Sequence, residues 1–170
     1  MWIGTTTDGA YRLQLDKNEL THPILKGNIT SIYQDSEGEL WIGSWEEGLH
    51  HVKTDGTIEI FEYDAKNPYS ISSNFVRACC EDNLGNIWIG TFNGLNRYDK
   101  STGLFQNHTA SDAQSDGLTH SSIWCIVKDN QGTLWLGTYF GGVNYFNPEY
   151  EIYSRYMYCL LYTSPSPRDA

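Results

Sequence analysis

Short apolar runs alternate with turn sequences along the whole chain, and the same combination recurs. In the stretch DNLGNIWIGTFNGLNRYD, from Asp82 to Asp99, two glycine-bearing turns separate short runs that are rich in apolar residues. The runs are too short for helices and show no helical periodicity, which favours β-strands. For this copy of the pattern we predict strands at 75–81, 87–91, 95–99 and 104–108.

The pattern repeats. Full copies begin at Asp35, Asp82 and Asp129, and the chain opens on a partial copy, WIGTTTDGAYRL, from Trp2. Consecutive tryptophans of the repeat, at 2, 41, 88 and 135, are 39, 47 and 47 residues apart, a period typical of propellers and solenoids. Four short strands per repeat indicate a propeller blade, because most solenoids require helices. The predicted fold class is all-β: a β-propeller fragment of four-stranded antiparallel blades, with about three full blades and one partial blade.

The repeat also predicts the domain boundaries. We place an incomplete propeller at 1–158, with a partial blade at 1–22 and full blades at 28–63, 74–108 and 121–157. Residues 159–170 break every earlier pattern and resemble the translation of a sequencing adapter, so we expect them to lie outside the domain. Propellers of this kind commonly hold about seven blades, and at 47 residues per blade a chain of 170 residues cannot close such a ring. We therefore expect the remaining blades of a longer parent chain as partners of this fragment.

The recurring residues have structural explanations. The Asp of each D-x-x-G can accept backbone N–H bonds within its turn, and the Gly can adopt the positive φ that the turn requires. The Trp is expected to bury its ring against the neighbouring blade, at about 25 cal/mol per Å² of apolar area. The Gly two residues after the Trp lets the inner strands approach each other closely.

The consensus D-x-x-G-x-[IL]-W-[IL]-G-[TS]-x-x-x-G-[LV] resembles the two-component regulator propeller repeat, over about residues 1–157. The resemblance implies a non-catalytic sensor segment, in the periplasmic part of an inner-membrane hybrid protein whose parent chain carries a histidine kinase and can form a homodimer. It also implies a small-molecule ligand, with an oligosaccharide favoured. Lyase-like propellers carry a similar turn and Trp, so an enzyme stays an alternative, as does a protein-binding scaffold. The second copy departs from the pattern at His50 and His51, which we expect to alter local surface chemistry.

The composition restricts the classes of partner and cofactor that this segment is expected to bind. The formal net charge of −10 repels phosphate backbones and anionic lipid, so we expect this segment to contact neither nucleic acid nor membrane. The spacing of the cysteines fits neither a zinc site nor a disulfide framework, and Cys79 and Cys125 align with packing positions of other repeats. We expect the thiols to be buried and inert. The histidines lack metal-ligand spacing, so neither a metal nor another cofactor is expected.

Candidate ligand-binding residues follow from blade topology. If the first strand of each blade is innermost, the loop after the second strand lies on the upper face, and this loop carries aromatic residues in each full repeat. Exposed rings at a channel mouth suit the apolar faces of sugars, while carboxylates and amides nearby suit hydroxyl groups. Packing between blades is the alternative role. No nucleophile motif or carboxylate pair predicts a catalytic residue. The predicted ligand-binding residues of these loops are Trp45, Glu46, Phe92, Asn93, Tyr139 and Phe140. Arg77 and Trp124 are added because they occupy equivalent positions in the inner strand, near the channel, where Thr30 stands in the second repeat.

Overall fold

The structure is a computed structural model that describes residues 1–21, 23–110, 117–150 and 152–156. Every regular element in these ranges is a β-strand. The described part of the chain contains no helix of the length and apolarity needed to cross a membrane. The segment 159–170, for which we expect a place outside the domain, lies outside the described residues, as does Cys159.

Within the described ranges the strands form four antiparallel sheets. Blade 1 has three strands: β1 (Trp2–Gly4), β2 (Ala10–Gln14) and β3 (Glu19–Leu20). Blade 2 contains β4 (Ile29–Gln34), β5 (Leu40–Ser44), β6 (Leu49–Val52) and β7 (Ile58–Phe61). Blade 3 contains β8 (Val76–Glu81), β9 (Ile87–Thr91), β10 (Gly94–Asp99) and β11 (Leu104–His108). Blade 4 contains β12 (Ile123–Lys128), β13 (Leu134–Thr138), β14 (Val143–Asn147) and β15 (Ile152–Tyr156).

Each full sheet follows chain order, with every neighbouring pair of strands antiparallel. The first strands contact one another in sequence, β4 against β8 and β8 against β12, so they form the inner side of the array. The three strands of blade 1 correspond to the second to fourth strands of a full blade. The prediction of an all-β propeller fragment with three full blades and one partial blade is confirmed.

The apolar core lies between consecutive blades rather than within one blade. Trp41 is fully buried and shares a cluster with Val76 and Ile87 of the following blade. Trp88 is likewise buried, in a cluster with Ile123 and Leu134 of the blade after it. The prediction that each consensus Trp packs against its neighbour is therefore confirmed for these two rings.

Two kinds of glycine behave as the repeat predicts. Gly85 adopts a φ of 84° in the D-x-x-G turn of blade 3. Gly90, after the consensus Trp, is instead needed for space, because a Cβ there would lie 2.7 Å from Cγ2 of Ile123 in the next inner strand. Close approach of consecutive inner strands therefore depends on the missing side chain.

The consensus Asp has a second role that the sequence reasoning missed. One carboxylate oxygen accepts backbone N–H groups of its own turn, as predicted, for example from Leu84 and Asn86 at 2.8 and 2.9 Å from Asp82 Oδ1. The other oxygen accepts the indole N–H of the consensus Trp in every full blade. The Nε1–Oδ2 distances are 2.9 Å for Trp41 and Asp35, 2.8 Å for Trp88 and Asp82, and 2.9 Å for Trp135 and Asp129.

Polar contacts also join blade 2 to blade 3. The Lys100 ammonium lies 2.9 Å from Asp35 Oδ2 and 2.8 Å from Glu37 Oε2, across the boundary between the two sheets. The backbone N–H of Ser36 donates to Glu81 Oε2 at 2.8 Å. These bonds fix the lower turn of one blade against the next.

Two expectations about single residues were wrong. His50 and His51 are each only 4% exposed, so they do not alter the surface; His51 stacks on Trp41, with ring centroids 3.9 Å apart. Cys79 is buried as expected, and burial raises the pKa of its thiol to about 12. Cys125, in contrast, is exposed, because it lies on the face of blade 4 that no other described blade covers.

Candidate functional site

A β-bulge interrupts the first strand of each full blade. The register with the second strand shifts between Ile29 and Ser31 in β4, and equivalent shifts occur in β8 and β12. A bulge adds a residue that is left out of the ladder and re-aims its side chain. The added residues are Thr30, Arg77 and Trp124, the three positions that the sequence aligns with one another.

The loop after the second strand is anchored beside this bulge. In blade 3, Thr91 Oγ1 donates to the carbonyl of Gly94 at 3.0 Å and accepts from the N–H of Asn93 at 3.1 Å. The N–H of Phe92 then donates to the carbonyl of Phe75, which precedes the bulged strand, at 3.0 Å. The N–H groups of Trp45 and Tyr139 make equivalent 3.0 Å bonds to Asn28 and Ser122. Each repeat thus holds one aromatic side chain next to its inner strand.

Arg77 lies at the centre of an aromatic cluster built by three blades. Its guanidinium carbon is 3.8 Å from the ring centroid of Trp124, 5.4 Å from that of Trp45 and 5.6 Å from that of Phe92. Trp124 in turn stacks on Tyr139, with centroids 5.7 Å apart and an interplanar angle of 21°. Five of the predicted residues are therefore in contact.

The other three predicted residues extend this group. Phe140 meets Tyr139 edge to face at a centroid distance of 4.2 Å, and it is 80% exposed. Glu46 and Asn93 are exposed on the loops of blades 2 and 3, each directly after a ring of the cluster. The rings themselves remain between 39% and 80% exposed, unlike the consensus tryptophans of the core.

Two neighbouring residues were missed. Phe75 lies between the rings of Trp45 and Phe92, at centroid distances of 5.6 and 6.1 Å. The available signal was an aromatic residue at a position where the other full repeats have polar side chains. His120 meets Phe140 edge to face at 6.1 Å. We call the group of contacting residues the rim cluster: Trp45, Phe75, Arg77, Phe92, His120, Trp124, Tyr139 and Phe140.

The electrostatics of the rim cluster are set by Arg77. Its Nε and Nη1 atoms are buried and have no hydrogen-bond partner among the residues that the structure describes. Burial lowers the pKa of the guanidinium, and the neighbouring Tyr139 hydroxyl acts in the opposite direction. Because an arginine stays protonated in proteins, the cluster presents several partly exposed π faces around one cation.

Comparisons with known proteins agree with this architecture. The family model described as "Two component regulator propeller" matches residues 23–46, 70–93 and 117–140. Each match ends within the loop that supplies an aromatic side chain to the rim cluster. No curated protein sequence matches the chain.

Several solved structures share the fold. The extracellular domain of a hybrid two-component system from B. thetaiotaomicron is 18% identical, with a TM-score of 0.72, over 92% of this chain and 23% of that one. Virginiamycin B lyase from Staphylococcus aureus is 15% identical, with a TM-score of 0.64, over 92% of this chain and 55% of the lyase. An auxiliary nutrient binding protein from Bacteroides ovatus is 14% identical, with a TM-score of 0.62, over 96% and 40%. The chain therefore spans less than two thirds of each of these proteins.

Proposed function

We propose, since this chain belongs to the two-component regulator propeller family, that it is part of an extracytoplasmic propeller that binds an oligosaccharide and signals its presence. The sensor segment would itself be non-catalytic. The output would come from a histidine kinase in the parent chain, on the other side of an inner membrane.

The observation that carries this proposal is the rim cluster. Aromatic rings that are half exposed, and held in place by repeated backbone bonds, offer flat apolar surfaces to the C–H faces of sugar rings. Glu46 and Asn93, next to two of these rings, can bond to sugar hydroxyl groups. Three consecutive blades contribute, so a ligand with several sugar units would contact more than one blade at once.

Binding across blades supplies a route to a signal. A ligand that makes different contacts in two arrangements of the propeller or of its subunits shifts the population between them. Arg77 of blade 3 contacts Trp45 of blade 2 and Trp124 of blade 4. These contacts at the rim depend on the relative positions of the three blades. Occupation of the rim would thus favour one arrangement and bias the kinase.

The shared fold with virginiamycin B lyase raises an enzymatic alternative, for which His120 is the side chain to consider. The backbone N–H of Ser122 donates to His120 Nδ1 at 3.0 Å. A neutral imidazole in that arrangement carries its proton on Nε2, so it offers a donor toward a ligand rather than a general base. The geometry therefore favours binding over proton abstraction.

Calorimetric titration of the intact parent chain with a panel of oligosaccharides tests the proposal. We expect one class to bind and Trp124→Ala to weaken that binding by about 2 kcal/mol, the size typical of a central aromatic contact. Tyr150→Ala is a matched control, because Tyr150 is 65% exposed and follows β14, at the opposite end of the blade from the rim. Absence of binding to every oligosaccharide, or turnover of any of them, would contradict the proposal.

A further inference from the structure

We propose that the ligand of the rim cluster is an anionic oligosaccharide, and that Arg77 pairs with its carboxylate or sulfate group. This inference rests on the proposed function and narrows the class of sugar. It follows from three observations on the described residues: buried donors of Arg77 without a hydrogen-bond partner, no carboxylate paired with Arg77, and the rings that surround it.

The buried N–H donors of Arg77 need a hydrogen-bond acceptor. Burial of a polar group without a hydrogen bond is unfavourable, and more so when the group carries charge. Nε and Nη1 of Arg77 are both buried and unpartnered among the described residues. Such a side chain is maintained at a cost to stability, which an acceptor supplied by a ligand would offset. An anionic oxygen is the strongest acceptor available to a guanidinium.

Among the residues that the structure describes, no carboxylate forms an ion pair with Arg77. The chain has 21 Asp and Glu against 11 Lys and Arg, so acidic partners are in excess. Lys53 and Lys100 use that excess and form ion pairs with Glu59 and with Asp35 and Glu37. Arg77 forms no ion pair within the described ranges. No described carboxylate therefore competes with an external anion for Arg77.

The rings determine which parts of the guanidinium can be used. Trp124 lies 3.8 Å from the guanidinium carbon, so the indole occupies one face of the cation. The N–H groups project in the plane of the guanidinium, where carboxylate and sulfate oxygens bind. A sugar ring can then stack on an exposed neighbouring ring, such as Trp45 or Tyr139, while its acidic group reaches Arg77.

The net charge of −10 does not oppose this assignment at close range. At physiological ionic strength, exposed charges are screened beyond about 8 Å. The acidic surface slows the approach of an anion, whereas affinity depends on the groups within contact distance, where Arg77 is the cation. Partial burial of Arg77 also weakens solvent screening and strengthens the pair.

The test compares three tetrasaccharides of the same length: a neutral one, one with uronate units and one with sulfate esters. Each is titrated calorimetrically into the intact parent chain and into its Arg77→Gln and Arg77→Lys variants. We expect the uronate, the sulfate ester or both to bind at least about tenfold more tightly than the neutral sugar. Arg77→Gln should abolish this preference, and Arg77→Lys should retain part of it because the charge remains while the planar fork is lost.

Arg97→Gln is the matched control. Arg97 is on β10 of the same blade and pairs in register with the buried Trp88 rather than with a residue of the rim cluster. Its Nε is also buried, without a hydrogen-bond partner in the described part of the chain. This variant removes the same charge and should keep the preference for the anionic sugar. Near-ultraviolet circular dichroism checks that the folded state is retained in each variant.

The outcomes separate this inference from the proposed function. Equal affinity for neutral and anionic sugars, or a preference that survives Arg77→Gln, would overturn the anionic assignment while leaving oligosaccharide binding in place. Failure of all three sugars and of the wider panel would instead remove the proposed function. Loss of the preference in Arg77→Gln, with retention in Arg97→Gln, would support the inference.

Discussion

At the scale of single residues, the hydrogen bond between the consensus Asp and the consensus Trp joins the turn of each full blade to its indole ring. The Asp lies in a turn and the Trp in the following strand, so one carboxylate closes the turn and fixes the ring that packs on the next blade. The turn role could be predicted because D-x-x-G is a local motif. The indole contact could not, because it depends on where the turn places the second carboxylate oxygen.

Asp82→Ala should test this link. Asp82 is buried and accepts bonds from Leu84, Asn86 and Trp88, so its loss leaves several donors without their acceptor. We expect the free energy of unfolding to fall by roughly 2–4 kcal/mol in urea titrations. Trp88→Phe is the comparison, since it removes the indole donor and keeps the turn, and it should cost less. Equal stability of Asp82→Ala and the unchanged protein would refute the role.

The pKa of Asp35 predicts how stability depends on pH. Burial by itself raises this pKa, but hydrogen bonds from Trp41 and Lys100 outweigh burial and hold it below the usual value. A carboxyl with a lowered folded-state pKa stabilises the protein above its unfolded pKa of about 3.9 and loses that contribution as pH falls through the folded pKa. We expect the free energy of unfolding to decline below about pH 4. Asp35→Asn should flatten that decline in urea titrations between acidic and neutral pH, and an unchanged slope would contradict the assignment.

At the scale of elements, the positions of the strands in a blade could be predicted from the sequence, whereas the bulge in its innermost strand could not. Strands β9 and β11 coincide with the predicted segments 87–91 and 104–108, because short apolar runs and glycine turns are local signals. The bulge that turns Arg77 and Trp124 out of the ladder leaves no comparable signal. The sequence aligns Arg77 with Trp124 but does not predict the bulge. The burial of His50 and His51 was missed for the same reason: packing between sheets decides it.

Gly90→Ala should show how closely the inner strands approach. The φ of Gly90 is not positive, so alanine is acceptable to the backbone, but its Cβ would lie 2.7 Å from Ile123 Cγ2. We expect a loss of about 1–3 kcal/mol in unfolding free energy from this overpacking. A double-mutant cycle with Ile123→Ala provides the check, because removal of Cγ2 should reduce the cost of Gly90→Ala. Additive effects would mean that the two residues do not clash.

At the scale of the whole molecule, one face of blade 4 is exposed, although the equivalent face of blade 3 is buried. Cys80, Trp88 and Leu95 of blade 3 are at most 6% exposed and pack against blade 4. The aligned residues of blade 4 are Val127, Trp135 and Val143, of which Val127 is 59% and Val143 41% exposed. The same side chains that form an interface in one repeat therefore lie open in the next. Because the repeat is the same, the surface that fits this face is the opposite sheet face of a further blade, as blade 4 covers blade 3.

A protein made of residues 1–156 should therefore self-associate through this face. Exposed apolar residues on an uncovered sheet favour association, and repeat arrays without capping units are poorly soluble. We expect sedimentation velocity to show concentration-dependent oligomers. The double variant Val127→Lys and Val143→Lys should reduce them, because two charges would have to be desolvated in the contact.

Thiol labelling gives a second measurement of this association. Cys125 is exposed on the open face of blade 4 and should react in dilute solution, then become protected as the oligomers form. Cys79 is buried and should stay unlabelled throughout, so it serves as the internal control. A monomer at all concentrations, with Cys125 always reactive, would show that the open face of blade 4 does not drive association.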